Sequence, residues 1–86
     1  MKNLIISFKS RNELYSFAST LKRKGLFCNI INTPKSIGSS CMLSLKTDFK
    51  NVNIIQPILQ TGQFKSFVGL FLVHSTIYGE QTSKLL

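Results

Sequence analysis

Apolar and polar residues alternate at the start of the chain and predict a strand. Leu4, Ile6 and Phe8 occupy every second position, so in an extended chain they share one face. Ser10 is followed three residues later by Glu13, the spacing of a capping box. In a capping box the Ser10 hydroxyl accepts from the Glu13 amide, and the Glu13 carboxylate accepts from the Ser10 amide. A helix is therefore predicted to begin just after the first strand.

The next segment has the period of an amphipathic helix. Its apolar residues follow an i, i+3, i+4, i+7 spacing and form one stripe: Leu14, Phe17, Ala18 and Leu21. The last turn, Lys22 to Lys24, is basic, and positive charges interact favourably with the C-terminal end of the helix dipole. Gly25 can adopt the left-handed backbone conformation that ends a helix. A second strand is predicted for Leu26 to Ile31, ending before Pro34.

A polar loop follows and leads to a third strand at Cys41 to Lys46, where apolar residues again alternate. This pattern places Cys41 at a junction between loop and strand. Asp48 or Asn51 can cap a second helix that ends at Gly62. Phe67 to Val73 is almost continuously apolar and predicts a fourth strand. Residues 74–86 show no firm period and are predicted to be a flexible tail.

The order strand, helix, strand, strand, helix, strand predicts an α+β fold of the ferredoxin-like sandwich type (βαββαβ). This architecture has a four-stranded antiparallel sheet with two helices on one face. Residues 1–73 would form the single domain and 74–86 the tail. The other face of the sheet would be open, and a homodimer could cover it through apolar residues on alternate strand positions: Ile5, Met42, Phe71 and Val73.

Size and charge restrict the function further. With 86 residues and a formal charge of +8, the chain is a small basic domain that would attract acidic proteins or nucleic acid. Its apolar stretches are far shorter than the roughly 18 residues of a membrane span, and no signal peptide is evident, so we expect a cytoplasmic protein without a membrane partner. RNA recognition is disfavoured, because the third strand offers no aromatic residue for base stacking.

Cys41 is the strongest candidate for chemistry. Amides and hydroxyls of Gly38, Ser39 and Ser40 could hydrogen-bond a thiolate, and Lys35 could add a positive charge; both effects would lower the thiol pKa. The alternative is a small buried residue without reactivity. Cys28, within an apolar strand, is expected to be a core residue.

Other kinds of site find little support in the sequence. The spacing of Cys28, Cys41 and His74 matches no ordinary zinc site, so no metal is predicted. No cofactor is implied either. The chain contains three acidic residues, and two of them, Glu13 and Asp48, are assigned to helix caps. The sequence thus leaves too few acidic residues for the pair of catalytic carboxylates that a hydrolase needs. It favours a carrier or binding protein over a stand-alone catalyst.

The segment Thr33-Pro34-Lys35-Ser36-Ile37-Gly38-Ser39-Ser40-Cys41 resembles the corresponding loop of a small bacterial family, the selenium/sulfur (Se/S) carrier protein-like proteins. The resemblance extends over about residues 3 to 73. The family's cysteine corresponds to Cys41 and its basic loop residue to Lys35, whereas Met42 replaces a residue that is commonly Gly in members.

The resemblance implies that Cys41 carries a sulfur or selenium atom as a persulfide or selenosulfide, between a donor protein and an acceptor enzyme. The charge of +8 leads us to expect that both partners are acidic. The supporting loop residues would be Thr33, Pro34, Lys35, Gly38, Ser39 and Ser40. Two alternatives remain open. One is a dimeric regulatory or interaction module that binds an anionic ligand and has no thiol chemistry; the other is a basic nucleic-acid-binding domain.

Overall fold

A computed structural model describes residues 1–38 and 43–86 of the chain. It is an α+β structure with seven main elements: β1 (Lys2–Phe8), α1 (Arg11–Arg23), β2 (Cys28–Asn32), β3 (Leu43–Asp48), α2 (Val52–Gln60), β4 (Phe67–Thr76) and β5 (Gly79–Lys84). A short 3₁₀ turn, Phe49–Asn51, precedes α2. No helix in the described ranges combines the length and the apolar character needed to cross a membrane.

The strands form one antiparallel sheet in the order β2-β3-β1-β4-β5. The central strand, β1, pairs through Ile6 with Leu45 of β3 on one side and with Leu70 of β4 on the other. The expected four-stranded sheet is wrong in its strand count, because residues 79–84 add a fifth strand beside β4. Backbone hydrogen bonds to β4 hold this strand in the sheet. Its side chains are mostly exposed, so its sequence lacks the alternation of apolar residues by which a strand is predicted.

The main core lies between the sheet and both helices. Leu4, Ile6 and Phe8 of β1 share the helix-covered face and are fully or almost fully buried. They pack with buried apolar residues of the two helices: Leu14, Phe17 and Leu21 of α1, and Ile55 and Leu59 of α2. The rings of Phe8 and Phe17 have centroids 5.4 Å apart. The alternation in β1 and the stripe in α1 therefore correctly predict which side chains form this core.

The ends of α1 confirm part of the predicted capping. The Glu13 amide donates to the Ser10 hydroxyl at 3.3 Å, and Gly25 has the left-handed φ of +80° expected of a helix stop. The Glu13 carboxylate makes a different contact from the one predicted. It accepts from the amides of Lys65 at 3.2 Å and Ser66 at 2.6 Å, so it joins the start of α1 to the segment before β4.

Candidate functional site

The candidate site is the connection between β2 and β3, which the structure describes as far as Gly38 and again from Leu43. Ser39, Ser40, Cys41 and Met42 lie outside the described residues. In the preceding segment, the Pro34 carbonyl accepts from the amides of Ile37 at 3.0 Å and Gly38 at 3.3 Å. These bonds close a compact turn. We call residues 33–38 the loop turn.

Buried hydroxyls connect the loop turn to the centre of the sheet. Ser7 of β1 and Ser44 of β3 are directly opposite in the strand register, and their hydroxyl oxygens lie 2.8 Å apart. The Ser44 hydroxyl is also 2.7 Å from that of Thr33. Ser7 and Ser44 are completely buried. This Thr33–Ser44–Ser7 hydroxyl chain fixes the start of the loop turn to two strands, because buried hydroxyls are costly to leave without partners.

The face of the sheet opposite the helices is partly covered by the loop turn. Ile5, Phe71 and Val73 form a second apolar cluster on this face and are no more than 8% exposed. Ile37 of the loop turn and Ile31 of β2 pack against them. The expectation that these sheet residues form an open face is therefore wrong: the chain's own loop contributes to covering them. Met42, the fourth residue predicted there, lies outside the described residues.

The loop turn also borders a small cavity on this sheet face. The cavity has a volume of about 170 Å³, and its lining includes Pro34 and Ser36 from the loop together with Lys46 of β3. Lys35 is exposed, as a residue that attracts an anionic group would need to be. A Cβ atom added at Gly38 would have no atom of the described residues within 4 Å, apart from its neighbours in the chain. Described residues of the predicted site thus form a turn held at Thr33, with Lys35 facing solvent.

Cys28 has a different environment from that of a reactive thiol. It is partly buried and packs against the main core, and burial raises the pKa of its thiol. A raised pKa lowers the fraction of nucleophilic thiolate near neutral pH. Among residues 1–38 and 43–86, no three His, Cys, Asp or Glu side chains are grouped so that they could hold a metal ion.

Comparison with models of protein families shows the family of this chain. The model of the family described as "Putative Se/S carrier protein-like" matches residues 3–66. The chain belongs to this Se/S carrier-like family. The matched region contains β1 except its first residue, Lys2, together with α1, β2, β3, α2 and the entire segment from Thr33 to Cys41. Searches of curated proteins and of solved structures give no match.

The hydroxyl chain is a feature of the site that the sequence interpretation missed. Its signal was available: Ser7 interrupts a run of apolar residues in β1, and Ser44 lies between Leu43 and Leu45 in β3. A small polar residue inside a buried strand needs a hydrogen-bond partner. Which partner it takes depends on strand register, and the separate strand predictions did not specify this register.

Proposed function

We propose that the protein is a sulfur or selenium carrier that holds its cargo on Cys41. The family match carries this proposal, because it spans the loop that contains the cysteine and the basic residue Lys35. The raised pKa of Cys28 supports it by disfavouring the other cysteine as the reactive thiol. The role is that of a carrier between two proteins in the bacterial cytoplasm and not that of a stand-alone enzyme.

The transfer is a thiol exchange without net oxidation. The Cys41 thiolate attacks the terminal sulfur of a donor persulfide, R–S–SH. A new sulfur–sulfur bond forms at Cys41 as the bond in the donor breaks, and the electron pair leaves with the donor thiolate. Delivery repeats the step: a nucleophile of the acceptor attacks the terminal sulfur, and the Cys41 thiolate is the leaving group. A perselenide donor, R–S–SeH, would load selenium in the same way.

The proposed role of the surrounding loop is to favour the anionic forms of Cys41. Amides and hydroxyls of Gly38, Ser39 and Ser40 would donate to the thiolate or persulfide, and Lys35 would attract the anionic donor. Thr33 and Pro34 support this arrangement, since the Thr33 hydroxyl contacts Ser44 of β3 and the Pro34 carbonyl accepts the two bonds that close the loop turn. The chain order and helix placement also favour a ferredoxin-like sandwich that β5 extends by one strand.

Loading from a defined persulfide tests this function. The folded protein is exposed briefly to glutathione persulfide, and intact mass and peptide mapping locate the added sulfur. We expect rapid gain of one sulfur atom at Cys41 in the wild type and in the Cys28→Ala variant, and none in Cys41→Ser. Retention of sulfane sulfur by folded Cys41→Ser would contradict the assignment, as would loading no faster than that of free cysteine.

A further inference from the structure

A largely apolar groove lies between helix α1 and strand β2, separate from the loop turn. It has a volume of about 470 Å³, and its lining includes Tyr15, Lys22, Phe27, Cys28 and Ile30. Phe27 is 78% exposed, and Tyr15 and Ile30 are each 45% exposed. Three large apolar side chains grouped at one groove indicate a contact surface more strongly than the same residues would if scattered.

Among residues 1–38 and 43–86, the strand beside the groove forms an edge of the sheet. β2 is the terminal strand of the sheet, with β3 as its neighbour. Its sequence, Cys28–Asn32, contains neither a charged residue nor a proline, although both are common means of preventing edge-to-edge pairing. The opposite edge, β5, carries Glu80 and Lys84. The β2 edge is therefore the better template for an added strand.

The charges around the groove indicate which kind of molecule would bind there. Lys22 lines it, and Arg23 and Lys24 follow on the same helix end. No acidic residue lines the groove: the Glu13 carboxylate binds the amides of Lys65 and Ser66, and Asp48 accepts from the Lys50 amide. A second copy of the chain would bring together two proteins of formal charge +8, whereas an acidic segment would be attracted.

We propose that the α1–β2 groove binds an acidic segment of a partner protein, which pairs in extended form with the free edge of β2. Alternate side chains of an added strand point to the helix side of the sheet, where Cys28 and Ile30 line the groove. Apolar residues at those positions would enter the groove beside Lys22. The acidic residues between them would lie on the opposite face of the sheet, where the exposed Lys46 of β3 is paired with Asn29 of β2. This inference stands on the surface alone and does not depend on cargo at Cys41.

A designed peptide tests the proposal. The probe is a fluorescent, end-capped peptide of sequence Glu-Val-Asp-Ile-Glu-Phe-Asp, and binding to the full chain is followed by anisotropy at low salt. A matched probe with Lys at every acidic position keeps the apolar pattern. We expect the acidic probe to bind at least about tenfold more tightly than the basic one, and to slow amide exchange in β2 but not in β5.

Variants locate the contact. Ile30→Lys and, as a milder change, Phe27→Ala should each weaken binding of the acidic probe by about tenfold or more. Ile77→Lys is the matched control, since Ile77 is 91% exposed and lies in the β4–β5 turn. The affinity of this variant for the acidic probe should equal that of the wild type. Circular dichroism checks that each variant folds. Absence of binding, equal affinity in Ile30→Lys and Ile77→Lys, protection at β5, or equal binding of both probes would overturn the proposal.

Discussion

Ser7 and Ser44 are paired across β1 and β3, with their hydroxyl oxygens 2.8 Å apart and both side chains fully buried. The Ser44 hydroxyl is also 2.7 Å from that of Thr33, where the loop turn begins. A hydrogen-bonded path therefore runs from the central strand of the sheet to the segment that leads to Cys41. The position of the loop depends on the interior of the sheet and not on surface contacts alone.

Substitution of Ser44 tests the importance of this path. Ser44→Ala removes the partner of the buried Ser7 hydroxyl, so the free energy of unfolding should fall by about 1–3 kcal/mol. The double variant Ser7→Ala/Ser44→Ala should recover part of the loss, because neither strand then buries that hydroxyl. Urea denaturation measures both effects. A Ser44→Ala variant as stable as the wild type would show that the hydroxyl chain contributes nothing to the fold.

Ile37 should couple the loop turn to the apolar cluster of Ile5, Phe71 and Val73. Replacement by serine removes an apolar contact from the cluster, and we expect a loss of about 1–2 kcal/mol in the free energy of unfolding. It should also change the rate at which iodoacetamide modifies Cys41, since the loop loses its anchor. Ser36→Ala, at an exposed neighbouring position, is the control and should change neither quantity.

Gly69 and Gly38 provide a matched pair of glycine substitutions. A Cβ atom at Gly69 would lie 2.8 Å from two atoms of the Phe71 ring and 3.3 Å from the carbonyl oxygen of Leu86. Gly69→Ala should therefore lower the free energy of unfolding by about 1–3 kcal/mol. Gly38→Ala should change it by less than about 0.5 kcal/mol, since no described residue beyond the chain neighbours has an atom within 4 Å of the added Cβ. Equal stabilities for the two variants would contradict the packing described for β4.

Glu13 should make stability depend on pH in the acid range. The Ser66 side chain and the Ser66 amide lower the pKa of Glu13 below its ordinary value of 4.5, and the Lys65 amide contributes further. The hydrogen bond from the Ser66 amide to the Glu13 carboxylate, at 2.6 Å, is the well-formed contact. The buried Ser66 hydroxyl makes no hydrogen bond of good geometry. A lowered folded pKa means that this stabilisation is complete above the unfolded pKa and is lost as the pH falls through the folded pKa.

Urea titrations at several acidic pH values measure this contribution. The wild type should lose stability below about pH 4.5, while Glu13→Gln should lose less because it cannot take up the proton. Glu13→Asp retains the charge but has a side chain one methylene shorter, so it should no longer bind both amides. An identical pH dependence in the wild type and Glu13→Gln would show that the carboxylate does not stabilise the fold.

The sequence predicted the elements of the main core well, because local patterns determine them. The alternation of Leu4, Ile6 and Phe8 and the Ser10 cap depend on residues that are close in the chain, and the structure confirms both. The acceptor role of Glu13 is different: its carboxylate binds amides more than 50 residues away. No local spacing carries information on such a contact.

Contacts between residues that are distant in the sequence also explain the two errors in the prediction of the sheet. The side chains of β5 are mostly exposed, and backbone bonds hold the strand beside β4, so its sequence lacks the apolar alternation of a half-buried strand. The apolar face at Ile5 and Phe71 was expected to be open, because a sequence does not show where a loop will fold. Ile37 was the residue that could have indicated this cover, as a single large apolar side chain within a polar loop.

The central claim is that Cys41 is an activated thiol, and alkylation measures this property directly. Iodoacetamide labelling of the folded Cys28→Ala variant is followed across pH, so that Cys41 is the single thiol and its apparent pKa is obtained from the rates. The account predicts an apparent pKa clearly below about 8.5, the value of an ordinary cysteine. A value at or above that, or no labelling until the protein is unfolded, would contradict the claim and identify Cys41 as a structural residue.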